Sequence, residues 1–328
     1  QKGIITNPTE MTLAEWLDYY MSEYKKRYVK PTTYINYTVK VKNHIKPAIG
    51  HYKLKALRQD IIQKFVNSLS DKGLAPSTVI DVYKLLSNVL ETAVDDGLIV
   101  RNTANRVKLP KTTKPQINVL TQEQQNAFVE QAKVTYMGVV YIFDLCTGMR
   151  LGELLGLKWQ DIDFEQNQLH IRRILRKVKD PDNADEHWHL EFGTPKTASS
   201  ERIIPLNETA IKVLADVWEQ QEKNKEKAST AYEDNDLVFC TQLGRPLDPT
   251  NMRRTCYSIC AKIGVSNFHP HCLRHTFTTR GAENNVDVRV MQKFLGHASI
   301  KETADTYTHV LDDLKQDEIQ KLDKAVNY

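Results

Sequence analysis

Residues 101–120, RNTANRVKLPKTTKPQINVL, constrain the fold of this chain more than any other stretch. They contain two prolines and five basic residues with no acid to balance them. Neither a helical nor a strand period survives there, and such a composition reads as an exposed connector between two bodies. At 328 residues the chain is also long for one comfortable core. We therefore read residues 1–100 as one domain, 101–120 as a basic interdomain linker and 121–328 as a second domain.

The first domain reads as helices throughout. Thr12 is a good N-cap, Glu15 completes a capping box with it, and apolar residues recur at helical spacing through Leu17, Tyr20 and Tyr24. A second helix is expected after Pro31, capped by Thr32 or Thr33, running to about His44 and stopped by Pro47 and Gly50. A third covers about 60–70 and ends at Gly73. A fourth starts at Ser77, carries Ile80, Tyr83, Leu86, Val89 and Leu90 on one stripe, and closes at Gly97.

Beyond the linker the pattern changes. Thr121 opens a helix with another capping box, Val139–Leu145 forms an apolar helix, and Gly148-Met149-Arg150 is a turn feeding a third. Residues 168–206 alternate as strands, with a Pro- and acid-containing loop at Asp180–Asp185. From Glu208 onward the period is helical, broken by turns at Gly244–Pro249 and Gly264–Pro270. The fold class is accordingly mostly α with a small antiparallel β-sheet.

The net charge of +4 conceals an asymmetry. Residues 1–110 hold 17 Lys+Arg against 10 Asp+Glu, and the remainder 28 against 31. A basic front half suits a polyanion, because phosphate contacts supply most sequence-independent affinity for nucleic acid. Lys25, Lys26, Arg27, Lys30 and Lys40 near helix ends, with Arg106 and Lys108 in the linker, are the candidate DNA contacts. On charge alone, solvated helix faces explain these residues equally well. No run of 18 apolar residues suggests a membrane span. Five scattered cysteines make no disulfide framework and suit a reducing cytoplasm. The chain starts Gln1-Lys2 without an initiator Met, as a fragment lacking something upstream would.

The chemistry-bearing residues fall into local motifs. Arg150 sits at a helix mouth, where the macrodipole disfavours a cation but an anion would meet both the guanidinium and free N–H groups. Pairing with Glu153 is the plainer explanation. His271, Arg274 and His275 are spaced i, i+3 and i+4 after Pro270. The two histidines have zinc-ligand spacing, but Arg274 would put a permanent cation beside the metal. Leu295-Gly296-His297 ends a helix, and Tyr307 follows ten residues later. A lone tyrosine is usually a packed aromatic. Here it closes an ordered series with Arg150, His271, Arg274 and His297.

These motifs resemble those of the tyrosine recombinases, the integrase family of phages and mobile elements. The family's first arginine box resembles residues 147–154, followed by Gly156 to Asp163. Its His-x-x-Arg-His-Thr-Phe box resembles His271 to Phe277, and its third resembles Leu295-Gly296-His297 with Tyr307 beyond. The hairpin lysine matches Lys196 in Thr194-Pro195-Lys196-Thr197. Because the region 176–189 is longer than a minimal hairpin, Lys177 and Lys179 are rivals for that role. The family's additional N-terminal domain for arm sites is missing from this sequence.

The resemblance implies a helical core-binding domain, a catalytic domain, and strand cleavage and rejoining through a 3′-phosphotyrosine with neither metal nor other cofactor. It further implies double-stranded DNA as partner, four protomers on paired sites, and an accessory excision factor. Arg150 and Arg274 would hold the phosphate oxygens, and His271 would take the proton of Tyr307. Lys196 would protonate the departing 5′ oxygen, and His297 would donate to the phosphate. The stripe Leu314, Ile319, Leu322 and Val326 reads as a last amphipathic helix, packed either within its protomer or on a neighbour. A chromosome-dimer-resolving recombinase and a type IB topoisomerase share the chemistry. A metal-dependent nuclease would need clustered carboxylates, and a regulator that had lost activity would lack one of these residues.

Overall fold

The computed structural model describes residues 10–112, 118–179, 188–195 and 201–301, with 303, 304 and 307. The chain divides into two compact units, Gln1–Pro115 with Val178–Trp188, and Gln116–Lys177 with His189–Tyr328.

In the first unit, α1 (Leu13–Tyr20) opens with the capping box expected of Thr12 and Glu15 and continues as a π-helical turn, Met21–Lys25. Next come α2 (Pro31–Lys40), a second π-helical turn (Val41–Ile45) and α3 (Lys46–Ile49). Pro47 does not stop this run, because it lies in the first turn of α3, where a missing N–H is tolerated. Nor does Thr32 or Thr33 cap α2; its N-cap is Lys30, with Pro31 at the first helical position and no side-chain cap. The unit is completed by α4 (Gln59–Asp71) and α5 (Pro76–Asp95).

Its core joins Leu13, Trp16 and Leu17 to Ile62, Phe65, Val82, Leu86 and Val89. Trp16 donates its indole N–H to the Val89 carbonyl at 2.9 Å, so its ring is buried without an orphaned donor. On α5 the buried stripe runs through Val79, Val82 and Leu86, while Ile80 and Tyr83 are only half-buried. The α2 segment buries no residue at all. Residues 102–108 are fastened to this unit. Tyr83 donates to the Ala104 carbonyl at 2.8 Å, Gln59 to the Arg106 carbonyl at 2.9 Å, and Gln63 exchanges two bonds with the Lys108 backbone.

The second unit begins with Asn118–Leu120 already attached, since Leu120 N–H donates to Thr276 Oγ1 at 3.2 Å. It contains α6 (Gln122–Lys133), α7 (Val139–Thr147) and α8 (Leu151–Leu155), then β1 (Ile162–Asp163), β2 (Gln168–Ile171), β3 (Ile174–Val178), β4 (His189–Gly193) and β5 (Arg202–Pro205). The helices α9 (Glu208–Ala228), α10 (Pro249–Lys262), α11 (Pro270–Glu283) and α12 (Val288–Leu295) follow. There are two sheets among the described residues rather than one: β1-β2-β5, antiparallel with Leu169 opposite both Ile162 and Ile204, and a β3-β4 pair. The apolar helix α7 packs against α9 and α11, which places the turn after it directly beside α11.

Candidate active site

The turn between α7 and α8 is built around Gly148, which adopts φ +59° and lies so close to Phe277 that a Cβ would meet the ring at 2.3 Å. Only glycine satisfies both demands. The first arginine box is thereby locked against the second, because Phe277 and Arg274 share α11.

Arg274 is 2 % exposed, and its guanidinium tethers two loops. Nη1 donates to the Gly148 carbonyl at 2.7 Å and Nη2 to the Leu295 carbonyl at 2.5 Å. Burial, then the neighbouring Arg150 and Arg202 cations, pull its pKa down to about 9, which leaves it charged at neutral pH. Arg150, the N-cap of α8, is the more open of the pair, with its side chain 37 % exposed. It donates to Glu153 Oε1 at 3.0 Å and to the Gly296 carbonyl at 3.4 Å. The plainer explanation of Arg150, pairing with Glu153, is thus present, and it coexists with convergence on the same turn as Arg274.

His297 follows Gly296, the left-handed C-cap of α12. Its Nδ1 pairs with Thr303 Oγ1 at 2.9 Å, which leaves Nε2 to meet an anion. Burial, then Arg274 and Arg150, push its pKa down to about 3. His271, in the first turn of α11, is pushed down to about 4 by loss of solvation and then by His275 and Arg274. Both imidazoles are therefore neutral at pH 7 in a site crowded with cations. His271 and His275 meet edge to face at 4.7 Å, yet Arg274 turns inward from their shared face. Among the described residues no group of three or more His, Cys, Asp or Glu is arranged to hold a metal.

Tyr307 hydrogen-bonds to a different loop. It is 7 % exposed, packed with Ala282, Met291 and Leu295, and its hydroxyl donates to the Val286 carbonyl at 3.0 Å. Burial, then the charge of Asp287, raise its pKa to about 12. Lys196 lies outside the described residues, as does the 314–326 stripe. Of the rival lysines, Lys177 is ion-paired with Asp248 at 2.7 Å.

Two participants, Arg202 and Asp144, escaped the sequence reading, which names Glu153 only as a partner for Arg150. Arg202 carries the same face of β5 as buried Ile204, and an arginine on a strand's inner face demands a carboxylate. It finds Glu153, which is 1 % exposed and bound by both Arg150 and Arg202. Burial works against ionisation of Glu153, but the Arg202 and Arg150 bonds outweigh it and hold the carboxyl below its usual range. Asp144, a lone acid in the apolar run of α7, is 1 % exposed with Oδ1 lacking a hydrogen-bond partner. Burial raises its pKa well above the usual value, against the Arg274 charge.

Residues 112–313 match the phage integrase family, and residues 12–70 match the N-terminal SAM-like domain of phage integrases. The chain belongs to the phage integrase family. A "tyrosine recombinase XerC-like" protein of Caldanaerobacter subterraneus is 30 % identical over 98 % of this chain and 85 % of its own length. The transposase of transposon Tn916 from Enterococcus faecalis is 25 % identical over 85 % of this chain and 70 % of its own. The solved Tn1549 transposon integrase, in complex with a circular intermediate DNA, superposes with a TM-score of 0.78 at 21 % identity, covering 95 % of this chain and 99 % of that one. As a member of this family the chain is a tyrosine-type recombinase, an enzyme of site-specific DNA strand cleavage and rejoining.

Proposed function

We propose that this recombinase integrates and excises a mobile element, with Arg150, Lys196, His271, Arg274, His297 and Tyr307 as its catalytic residues. The observation that carries the site assignment is the convergence of Arg150, Arg274 and His297 on the single turn Leu295–His297, with His271 on the adjoining helix. Mobile-element relatives support the biological setting.

The chemistry follows from the charges. A pentavalent phosphorus transition state gains a negative charge, and fixed cations aimed at it supply the largest stabilising effect. Arg150, open to solvent, is suited to touch the phosphate, whereas Arg274 stands behind it as a charge and a brace. His297 donates from Nε2. Tyr307 must leave the Val286 carbonyl to attack; its proton passes to neutral His271, and the oxygen bonds to phosphorus as the 5′ oxygen departs with a proton from Lys196. The phosphotyrosine retains the bond energy, so attack by a 5′ hydroxyl rejoins the strand and releases the tyrosine.

Exposed Lys26, Arg27, Lys30, Arg106 and Lys108, with Lys25 and Lys40, are the proposed DNA contacts of the helical unit. Lys40 is at present held by Asp81 at 3.3 Å and Lys25 lies over the Tyr20 ring. A homotetramer on paired sites is part of this reading, as is an accessory excision factor; the lambda integrase has been solved as a tetramer bound to a Holliday junction. A cellular chromosome-dimer-resolving recombinase is the second reading, favoured by the XerC-like relative. Incubating the enzyme with nicked site DNA in EDTA should give an adduct that survives denaturation, absent in Tyr307→Phe while DNA binding persists. An adduct in Tyr307→Phe, or a metal requirement, would refute the assignment.

A further inference from the structure

Arg202 begins β5 with its side chain 6 % exposed, and its guanidinium reaches in two directions. Nη1 and Nη2 meet the two oxygens of Glu153 at 3.1 and 2.9 Å, a fork-on-fork pair. Nε donates to the Phe294 carbonyl at 2.5 Å. On the first side, Glu153 also receives the Arg150 guanidinium at 3.0 Å and the Arg150 backbone N–H at 2.9 Å. On the second side, Phe294 lies in the last turn of α12, immediately before the Leu295 and Gly296 carbonyls that Arg274 and Arg150 hold. One planar group therefore braces the first arginine box and the His297 turn at once.

We propose that Arg202 is a positioning residue for strand cleavage, fixing the Arg150 guanidinium through Glu153 and the His297 turn through the Phe294 carbonyl. This rests on the reading of Arg150 and His297 as phosphate-binding groups. Without the brace, Glu153 keeps only its own α8 neighbour, and Arg150, more than a third exposed, can swing with it. Lysine offers a single point of attachment, so it can meet the carboxylate or the carbonyl but not span both.

The test measures single-turnover cleavage, DNA affinity and melting temperature of the full chain carrying Arg202→Lys, Arg202→Met, or Arg202→Met with Glu153→Gln. Arg202→Met should slow cleavage about 100-fold, the size of loss that an ångström of misplacement causes, with the DNA dissociation constant within about twofold. Arg202→Lys should regain part of that loss. Because Arg202→Met strands a buried carboxylate and can destabilise the fold, the double variant serves as the control. It should recover the melting temperature and remain slow. In an Arg150→Ala background, Arg202→Met should cost less than it does alone, since the arm of the brace that runs through Glu153 then has no guanidinium to position.

Recovery of cleavage together with melting in the double variant would overturn the proposal, leaving Arg202 as a counter-charge only. So would losses that multiply fully in the Arg150→Ala background. Normal cleavage by Arg150→Ala alone would instead overturn the underlying site reading, a result distinguishable because it needs no change at Arg202.

Discussion

The cation cluster and the niche of Tyr307 draw on the same two helices, α11 and α12, yet they are built on opposite principles. Around Arg274, charged groups are tied down by bonds from several elements: two carbonyl tethers, a doubly held Glu153, and Arg202 behind them. The tyrosine rests in a small apolar cluster of four buried residues with a single hydroxyl bond to the Val286 carbonyl. One such bond is worth about 0.5–1.5 kcal/mol net, little enough for DNA binding to offset. On the proposed roles, the phosphate-binding side is prepared before substrate arrives, and Tyr307 is the group that must move to react. Electrostatic catalysis requires that division, because a cation that must reorganise during the reaction loses most of its advantage.

Four substitutions or conditions test this contrast. The largest effect belongs to Arg274→Lys, which should reduce cleavage about 10²–10³-fold, the scale of disturbing a preorganised electrostatic site. It should also lower the melting temperature, because the Gly148 and Leu295 carbonyls cannot both be met by one ammonium. Near-normal single-turnover rates would show that the cluster is not preorganised for catalysis. Lys196→Ala should lose about 10²-fold on ordinary DNA, in the range expected of a general acid. It should recover on a substrate with sulfur at the 5′ bridging position, since a thiolate leaves unprotonated. An equal defect on both substrates moves that role elsewhere.

A smaller effect is expected from acid. His271 and His297 have folded pKa values near 4 and 3, depressed from the ordinary 6.5. The unfolded chain therefore binds protons first, and the stability these groups contribute above pH 6.5 is lost as pH falls towards about 4 for His271 and about 3 for His297. Melting temperature should drop between pH 7 and 5, and His297→Asn should flatten the slope. A slope unchanged by that substitution would place the histidines outside the cationic pocket. The smallest effect is on the tyrosine side, where Tyr307→Phe should lower the melting temperature of the DNA-free protein by only about 2 °C. A drop of ten degrees would mean that the niche is as firmly built as the cluster.

The elements that follow from local rules were legible in the sequence. The capping boxes at Thr12 and Thr121, the glycine ends of α5 and α12 and the alternation in β2 and β5 all depend on neighbours a few residues away. The two π-helical turns and the run through Pro47 were not, because tertiary packing of Val41, Ile45 and Ile49 decides them. At the site, ordered motifs brought out Arg150, His271, Arg274 and His297. The Arg202–Glu153 pair joins residues 49 apart, and nothing in either local stretch announces the other. The docking of Tyr307 on Val286 was equally hidden, since a motif names the proposed nucleophile and not the contacts that hold it.

The residue that becomes attached to DNA decides whether the proposed chemistry holds. Trapping the cleaved complex on a nicked site, digesting the protein and sequencing the nucleotide-bearing peptide by mass spectrometry reads that residue directly. The proposed chemistry gives a single modified peptide containing Thr306-Tyr307-Thr308, with a 3′-phosphate ester on the tyrosine oxygen. A nucleotide on any other side chain, or a 5′-phosphate linkage, would contradict it.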